Sequence, residues 1–70
     1  MFVDASALLA ILANEPDKAG LVERLENTSN LFTSPIAVFE TTANLCRMKA
    51  ISVDVAKLEV EQLLTRARIT

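Results

Sequence analysis

The chain has 70 residues, which is enough for one small domain, and a domain of this size buries only about 60 to 65% of the surface that its unfolded chain exposes. Hydrophobic residues make up 51% of it and the formal charge is −2, which argues against disorder and against a broad basic surface for duplex nucleic acid. The chain has one cysteine, Cys46, which excludes an internal disulfide and suits a reducing cytoplasm. It has no histidine, which excludes the Ser-His and Cys-His catalytic mechanisms. No apolar run approaches the roughly 20 residues of a membrane helix, and the N-terminus makes a poor signal peptide.

The N-terminal segment Met1-Phe2-Val3 is predicted to be a short buried strand, because an apolar run that ends in small and polar residues is typical of parallel strands. Asp4 follows it directly, at the strand end where ligands gather in open α/β sheets. Asp4 and Ser6 also fit a purely structural role as caps of a helix that begins at Ala5 to Ala7. This helix is predicted to end near Asn14-Glu15-Pro16.

The next two segments predict a crossover and a second strand. An amphipathic helix is expected from about Pro16 to Glu26, followed by turn formers at residues 27–30 and a short strand at Leu31-Phe32-Thr33. A strand, a helix and a strand in this order predict a right-handed βαβ unit with parallel strands. We therefore expect Asp4 and the segment that leads to Glu40 to lie at the same edge of the sheet.

A third helix is predicted from Pro35 to Lys49, with Ser34 as its cap. Apolar residues at spacings of three and four predict its core stripe: Ile36, Phe39, Ala43 and Cys46. Glu40 lies beside that stripe, one turn into the helix, where a carboxylate is also favoured by the helix dipole. Arg47 and Lys49 near the other end complement the dipole or meet phosphate.

A fourth helix is predicted from Val53 to Ala67, capped by Ser52. Together with the third helix it forms a helical hairpin with a large apolar surface. We expect another chain or further residues to cover one face of it, formed by Ala56, Val60, Leu63 and Leu64. Arg68-Ile69-Thr70 is predicted to begin a third strand.

The carboxylates of Asp4 and Glu40 are the candidate catalytic groups. Paired carboxylates at the ends of parallel strands suit Mg²⁺, which takes one or two protein carboxylates, keeps several waters and can activate water against a phosphodiester. We expect the two carboxylates to come within about 7 Å of each other, close enough to share one ion directly or through its waters.

The sequence around these acids resembles the N-terminal half of a PIN domain, in particular the VapC-type toxins of bacterial toxin-antitoxin pairs. The resemblance covers essentially all 70 residues and rests on Asp4-Ala5-Ser6-Ala7, on Asn14-Glu15-Pro16 and on residues 34–40, with Leu45 and Arg47 further along. It implies an α/β, PIN-like fold with a parallel sheet flanked by helices, of which residues 1–70 form the N-terminal part, with two strands and about four helices.

The resemblance also implies a function. It implies a cytoplasmic endoribonuclease that depends on Mg²⁺ or Mn²⁺ and cleaves RNA, with Asp4 and Glu40 as metal-site acids and Ser6 as a supporting polar residue. A cognate antitoxin that docks over the site and the helical hairpin is implied, as is a homodimer. PIN domains carry further acids on a later strand and helix, and Asp54, Glu59 and Glu61 match none of them. The isolated chain is therefore expected to be inactive.

Two other hypotheses remain open from the sequence. In the first, the chain is a non-catalytic helical interaction module in which Asp4 and Glu40 are only structural caps. In the second it is a phosphotransferase of the haloacid dehalogenase type, which also begins with an apolar strand that leads into an aspartate. The pattern of that family has a second aspartate where this chain has Ser6, so this hypothesis ranks last.

Overall fold

The computed structural model describes residues 1–70, and its regular structure consists of four helices. They are α1 (Ala5–Leu12), α2 (Lys18–Glu26), α3 (Pro35–Lys49) and α4 (Val53–Arg66). All four helices were predicted, and α3 has the predicted bounds. None of the four has the length and apolar character that crossing a bilayer requires.

The prediction of an α/β fold with a parallel sheet is wrong, because no sheet forms. Phe2 and Phe32 make a single parallel bridge, and beside it the backbone N–H of Val3 donates to the carbonyl of Phe32 at 2.8 Å. The pairing cannot lengthen because the chain enters helices α1 and α3 directly after Asp4 and Ser34. The two apolar segments thus run side by side without becoming strands.

The third predicted strand is absent as well. Arg68, which follows α4, has a φ of 55° in the left-handed region, and this turns the chain away from the helix axis. The backbone N–H of Thr70 then donates to the carbonyl of Leu31 at 3.1 Å, but no bridge forms between the two segments.

Helix α1 lies at the centre of the molecule and packs against each of the other three helices. The larger core cluster surrounds it and consists of Val3, Leu8, Ile11, Leu25, Leu31 and Ile69. A smaller cluster joins α3 to α4 through Leu45, Ala56 and Val60, all fully buried. The prediction that another chain or further residues must cover this face of α4 is therefore wrong, because α3 covers Ala56 and Val60.

The buried face of α3 differs from the predicted one. Ala37, Thr41 and Leu45 point into the core, whereas Ile36 and Phe39 are 71% and 73% exposed. Thr41 can be buried because its hydroxyl donates to the carbonyl of Ala37, one turn earlier, at 2.7 Å. Thr41 thus makes its hydrogen bond within α3 and can occupy the buried face, whereas the spacing of apolar residues predicted that a different face of the helix would be buried.

A short link joins α3 and α4 into a hairpin. Ala50 ends α3 with a φ of 52°, in the left-handed region, and Ser52 begins α4 by accepting a hydrogen bond from the N–H of Val55 at 3.2 Å. An ion pair between Lys49 and Glu59, 2.8 Å long, connects the two helices near this end.

Candidate functional site

Asp4 is the N-cap of α1. Its backbone is extended, with φ −84° and ψ 172°, and its Oδ1 accepts a hydrogen bond from the N–H of Ala7 at 2.9 Å. The side chain is exposed and Oδ2 has no partner within the chain. The predicted capping role is therefore present, and it leaves one carboxylate oxygen free for a ligand.

The starts of α1 and α3 lie side by side. The bridge between Phe2 and Phe32 brings the two segments together, and the hydroxyl of Thr33 donates to the carbonyl of Val3 at 2.7 Å. Ser34 caps α3 as Asp4 caps α1, by accepting from the N–H of Ala37 at 3.1 Å. The two helices thus begin from adjacent segments that run in the same direction.

Glu40 is the sixth residue of α3 and lies beyond the first four residues, whose N–H groups a cap can serve. Its side chain is exposed and makes no hydrogen bond or ion pair within the chain. Two turns further on, the guanidinium of Arg47 donates to the side-chain oxygen of Asn44. The cap interpretation therefore holds for Asp4 but not for Glu40.

A cavity of about 340 Å³ opens between the start of α1 and helix α2. Its apolar wall includes Val3 and Leu25, and its polar rim consists of Asp4, Ser6, Asp17 and Arg24. Glu40 does not line this cavity. The structure thus places Asp4 and Ser6 on the rim of one cavity, together with two charged residues that the sequence analysis did not propose for the site.

Asp17 and Arg24 are those two additional residues. Asp17 is the N-cap of α2, and Arg24 lies within the helix seven positions later, so the two residues are on the same side of this segment, about two turns apart. That spacing was visible in the sequence, but nothing in it indicated that this face would meet the start of α1. Arg24 is the only cationic side chain of the cavity and forms no ion pair, so its guanidinium is free to meet an anion such as phosphate.

The donor chemistry of Asp4 and Glu40 suits a hard divalent ion, since both offer carboxylate oxygens without a partner in the chain. No group of three or more acidic, histidine or cysteine side chains is close enough together to hold a metal ion. An ion bound by this pair would therefore keep most of its water ligands, as Mg²⁺ commonly does.

The remaining candidates from the sequence have structural roles. Lys49 is engaged by Glu59, and Arg47 by Asn44. Cys46 is half-buried and packs against the smaller core cluster, as expected of a small core residue rather than a nucleophile.

Comparison with known families identifies the class of protein. The family model of the PIN domain matches residues 1–70, so the chain belongs to the PIN domain family. PIN domains are generally metal-dependent nucleases that act on RNA and other nucleic acids. The dehalogenase hypothesis is thereby set aside. Neither the curated proteins nor the solved structures contain a match to this chain.

Proposed function

We propose that this chain contributes Asp4 and Glu40 to the metal site of an endoribonuclease toxin of the VapC type. The observation that carries the proposal is that Glu40 is exposed and has no hydrogen-bonding or ionic partner in the fold. The chain that presents this free carboxylate belongs to a family of nucleases. A carboxylate without a structural role is available as a ligand. Mg²⁺ or Mn²⁺ is the ion that such oxygen ligands favour.

The ion, when bound, would activate water and polarise the RNA phosphodiester. Asp4 and Glu40 would hold it, with Asp4 using the oxygen that does not cap α1. The hydroxyl of Ser6, on the rim of the same cavity as Asp4, would support the bound water or substrate. Arg24 across that rim would pair with a phosphate of the RNA.

The VapC-type assignment extends to partners. We infer a cognate antitoxin that covers the site and the hairpin of α3 and α4, a homodimer, and a cytoplasmic location. What supports these partners is the resemblance described above, together with the large hydrophobic side chains that the hairpin leaves exposed at Ile36, Phe39 and Leu58.

A second candidate function is a non-catalytic helical interaction module. Asp4 favours it in part, because its carboxylate caps α1 as that hypothesis requires. Glu40 does not favour it, because this side chain caps nothing. The two functions differ in whether removal of one carboxylate charge at Asp4 affects chemistry or only stability.

RNA cleavage tests the nuclease function. A longer PIN-domain polypeptide that carries this segment should cleave RNA with Mg²⁺ or Mn²⁺, and Asp4→Asn should abolish cleavage while the circular dichroism spectrum stays unchanged. Loss of a ligand to an essential ion removes several kcal/mol of transition-state stabilisation, whereas asparagine caps a helix nearly as well as aspartate. Glu61→Gln, at an exposed acid of α4, is the matched control and should keep full activity.

For the 70-residue chain alone we expect no measurable metal-dependent cleavage, because no third acid joins the pair to fix the ion and the attacking water. Full activity of Asp4→Asn in the longer polypeptide would refute the nuclease role of Asp4. Robust, EDTA-sensitive cleavage by the isolated chain that Asp4→Asn abolishes would instead show that two acids suffice.

A further inference from the structure

A second cavity lies toward the end of α1 that is opposite to Asp4. It has a volume of about 580 Å³ and opens between α1, α2 and the last turn of α4. It shares only Leu25 with the cavity beside Asp4, so it is separate from the proposed metal site. Its apolar walls are entirely aliphatic and consist of Ile11, Val22, Leu25, Leu31, Leu63 and Ala67.

The rim of this second cavity carries a local positive charge. Arg66 and Arg68 line it together with one acid, Glu26, and two arginines against one glutamate give +1 in a chain whose formal charge is −2. The only ion pair of the structure joins Lys49 to Glu59, so no acid of the fold neutralises either guanidinium. Guanidinium groups bind carboxylate and phosphate through paired N–H donors, so the rim suits the acid group of a ligand.

The backbone of the rim has left-handed geometry at two residues. Asn30 and Arg68 have φ of 57° and 55°, and both line the second cavity. Asparagine tolerates this conformation, whereas Arg68 occupies the position after a helix end where glycine is usual. Arginine at position 68 therefore stabilises the fold less than glycine would, but it supplies a cation to the cavity.

The walls of the second cavity limit the body of such a ligand. No aromatic side chain lines the cavity, so it offers no ring on which a nucleobase could stack. Aliphatic walls suit an aliphatic body, which leaves water when it binds there. The volume lies within the range of about 300 to 1,000 Å³ that is typical of small-molecule sites.

We propose that the second cavity binds a small amphipathic anion, with its acid group at Arg66 and Arg68 and an aliphatic body against Leu31 and Leu63. The proposal does not depend on nuclease activity or on a bound metal ion. Aliphatic carboxylates and alkyl phosphates share this chemistry and differ in the acid group alone.

Titration of the isotopically labelled 70-residue chain with octanoate, followed by the amide resonances, tests the site. The amides of residues 28–31 and 63–68 should shift together and saturate with one dissociation constant, whereas those around Asp4 and Glu40 should not move. Acetate has the same acid group without the aliphatic body, so it should bind at least about tenfold more weakly. A parallel titration with octyl phosphate shows which acid group the two arginines prefer.

Removal of one cation tests the rim. Arg66→Gln should raise the octanoate dissociation constant about tenfold, because the acid group loses a charged donor. Lys57→Gln makes the same change of charge at an exposed position of α4 that does not line the cavity. It is the matched control and should leave the constant unchanged.

Arg68→Gly separates binding from stability. It should raise the urea midpoint of unfolding, because glycine suits a φ of 55°, and yet weaken octanoate binding about tenfold. Ala50→Gly relieves the same backbone conformation away from the cavity. It should raise the midpoint in the same way and leave octanoate binding unchanged.

The absence of saturable shifts with both octanoate and octyl phosphate would overturn the proposal and show that the second cavity is only an unfilled end of the core. Equal affinity for acetate and octanoate would do the same, as would unchanged binding in both Arg66→Gln and Arg68→Gly. Asp4→Asn should leave octanoate binding unchanged. Loss of the metal site and loss of this site are therefore told apart in the same chain.

Discussion

Asp4 combines a structural contact with a free ligand atom. One of its carboxylate oxygens caps α1 and the other has no partner in the chain. The sequence supported both roles because a strand end followed by a helix start needs a cap and also presents its side chain at an exposed edge. Glu40 was harder to interpret, since its freedom from structural contacts depends on which face of α3 is buried.

Substitution of Asp4 should separate these two roles. Asp4→Ala should lower the free energy of unfolding by about 1 kcal/mol, because the N–H of Ala7 loses its acceptor, whereas Asp4→Asn should change it by only a few tenths. Both variants should lose Mn²⁺ binding. Urea denaturation and Mn²⁺ titration of the same samples measure the two effects.

Retention of Mn²⁺ affinity in both Asp4 variants would show that this side chain is only a cap. Ser34→Ala, which removes the corresponding cap of α3, is the control: it should cost a similar free energy of unfolding and leave Mn²⁺ binding unchanged.

At the scale of the elements, local chemistry predicted the helix starts well. The caps at Asp4, Ser34 and Ser52 are all present, each accepting a bond from an N–H three residues on. The orientation of α3 was not predictable in the same way, because the helix has two apolar stripes. The inner stripe includes Thr41, whose hydroxyl can be buried because it donates a hydrogen bond to the carbonyl of Ala37.

Truncation of one residue on each face tests this orientation. Leu45→Ala should destabilise the chain by about 2 to 5 kcal/mol, because the side chain is fully buried between α3 and α4. Ile36→Ala should cost less than about 0.5 kcal/mol at concentrations where the chain is monomeric, because Ile36 is 71% exposed. Equal costs in urea denaturation would mean that the stripes are assigned the wrong way round.

The end of α3 offers a second test at this scale. Ala50 has a left-handed backbone with φ 52°, which is unfavourable for a residue with a Cβ and natural for glycine. Ala50→Gly should therefore raise the free energy of unfolding by about 0.5 to 1 kcal/mol. Ala43→Gly, in the middle of the same helix, should lower it by about 1 kcal/mol. A loss of stability in Ala50→Gly would contradict this account of the hairpin link.

At the scale of the whole molecule, the sequence predicted which segments meet but not the form of their contact. The apolar segments at residues 1–3 and 31–33 do run parallel, yet they make one bridge and no sheet. Longer pairing is prevented because helices α1 and α3 begin directly after Asp4 and Ser34. In the sequence, these two polar residues had indicated the ends of two short strands. The family assignment survives this error because it rests on the match over residues 1–70.

The central claim is that Asp4 and Glu40 hold one divalent ion together. Titration of the isotopically labelled 70-residue chain with Mn²⁺ tests it, because the paramagnetic ion broadens the amide resonances of nearby residues. We expect the amides around Asp4 and those around Glu40 to broaden first and at the same Mn²⁺ concentration, and either Asp4→Asn or Glu40→Gln to remove both effects. Broadening that appears at the two acids independently, or evenly across all nine acidic residues, would contradict the claim.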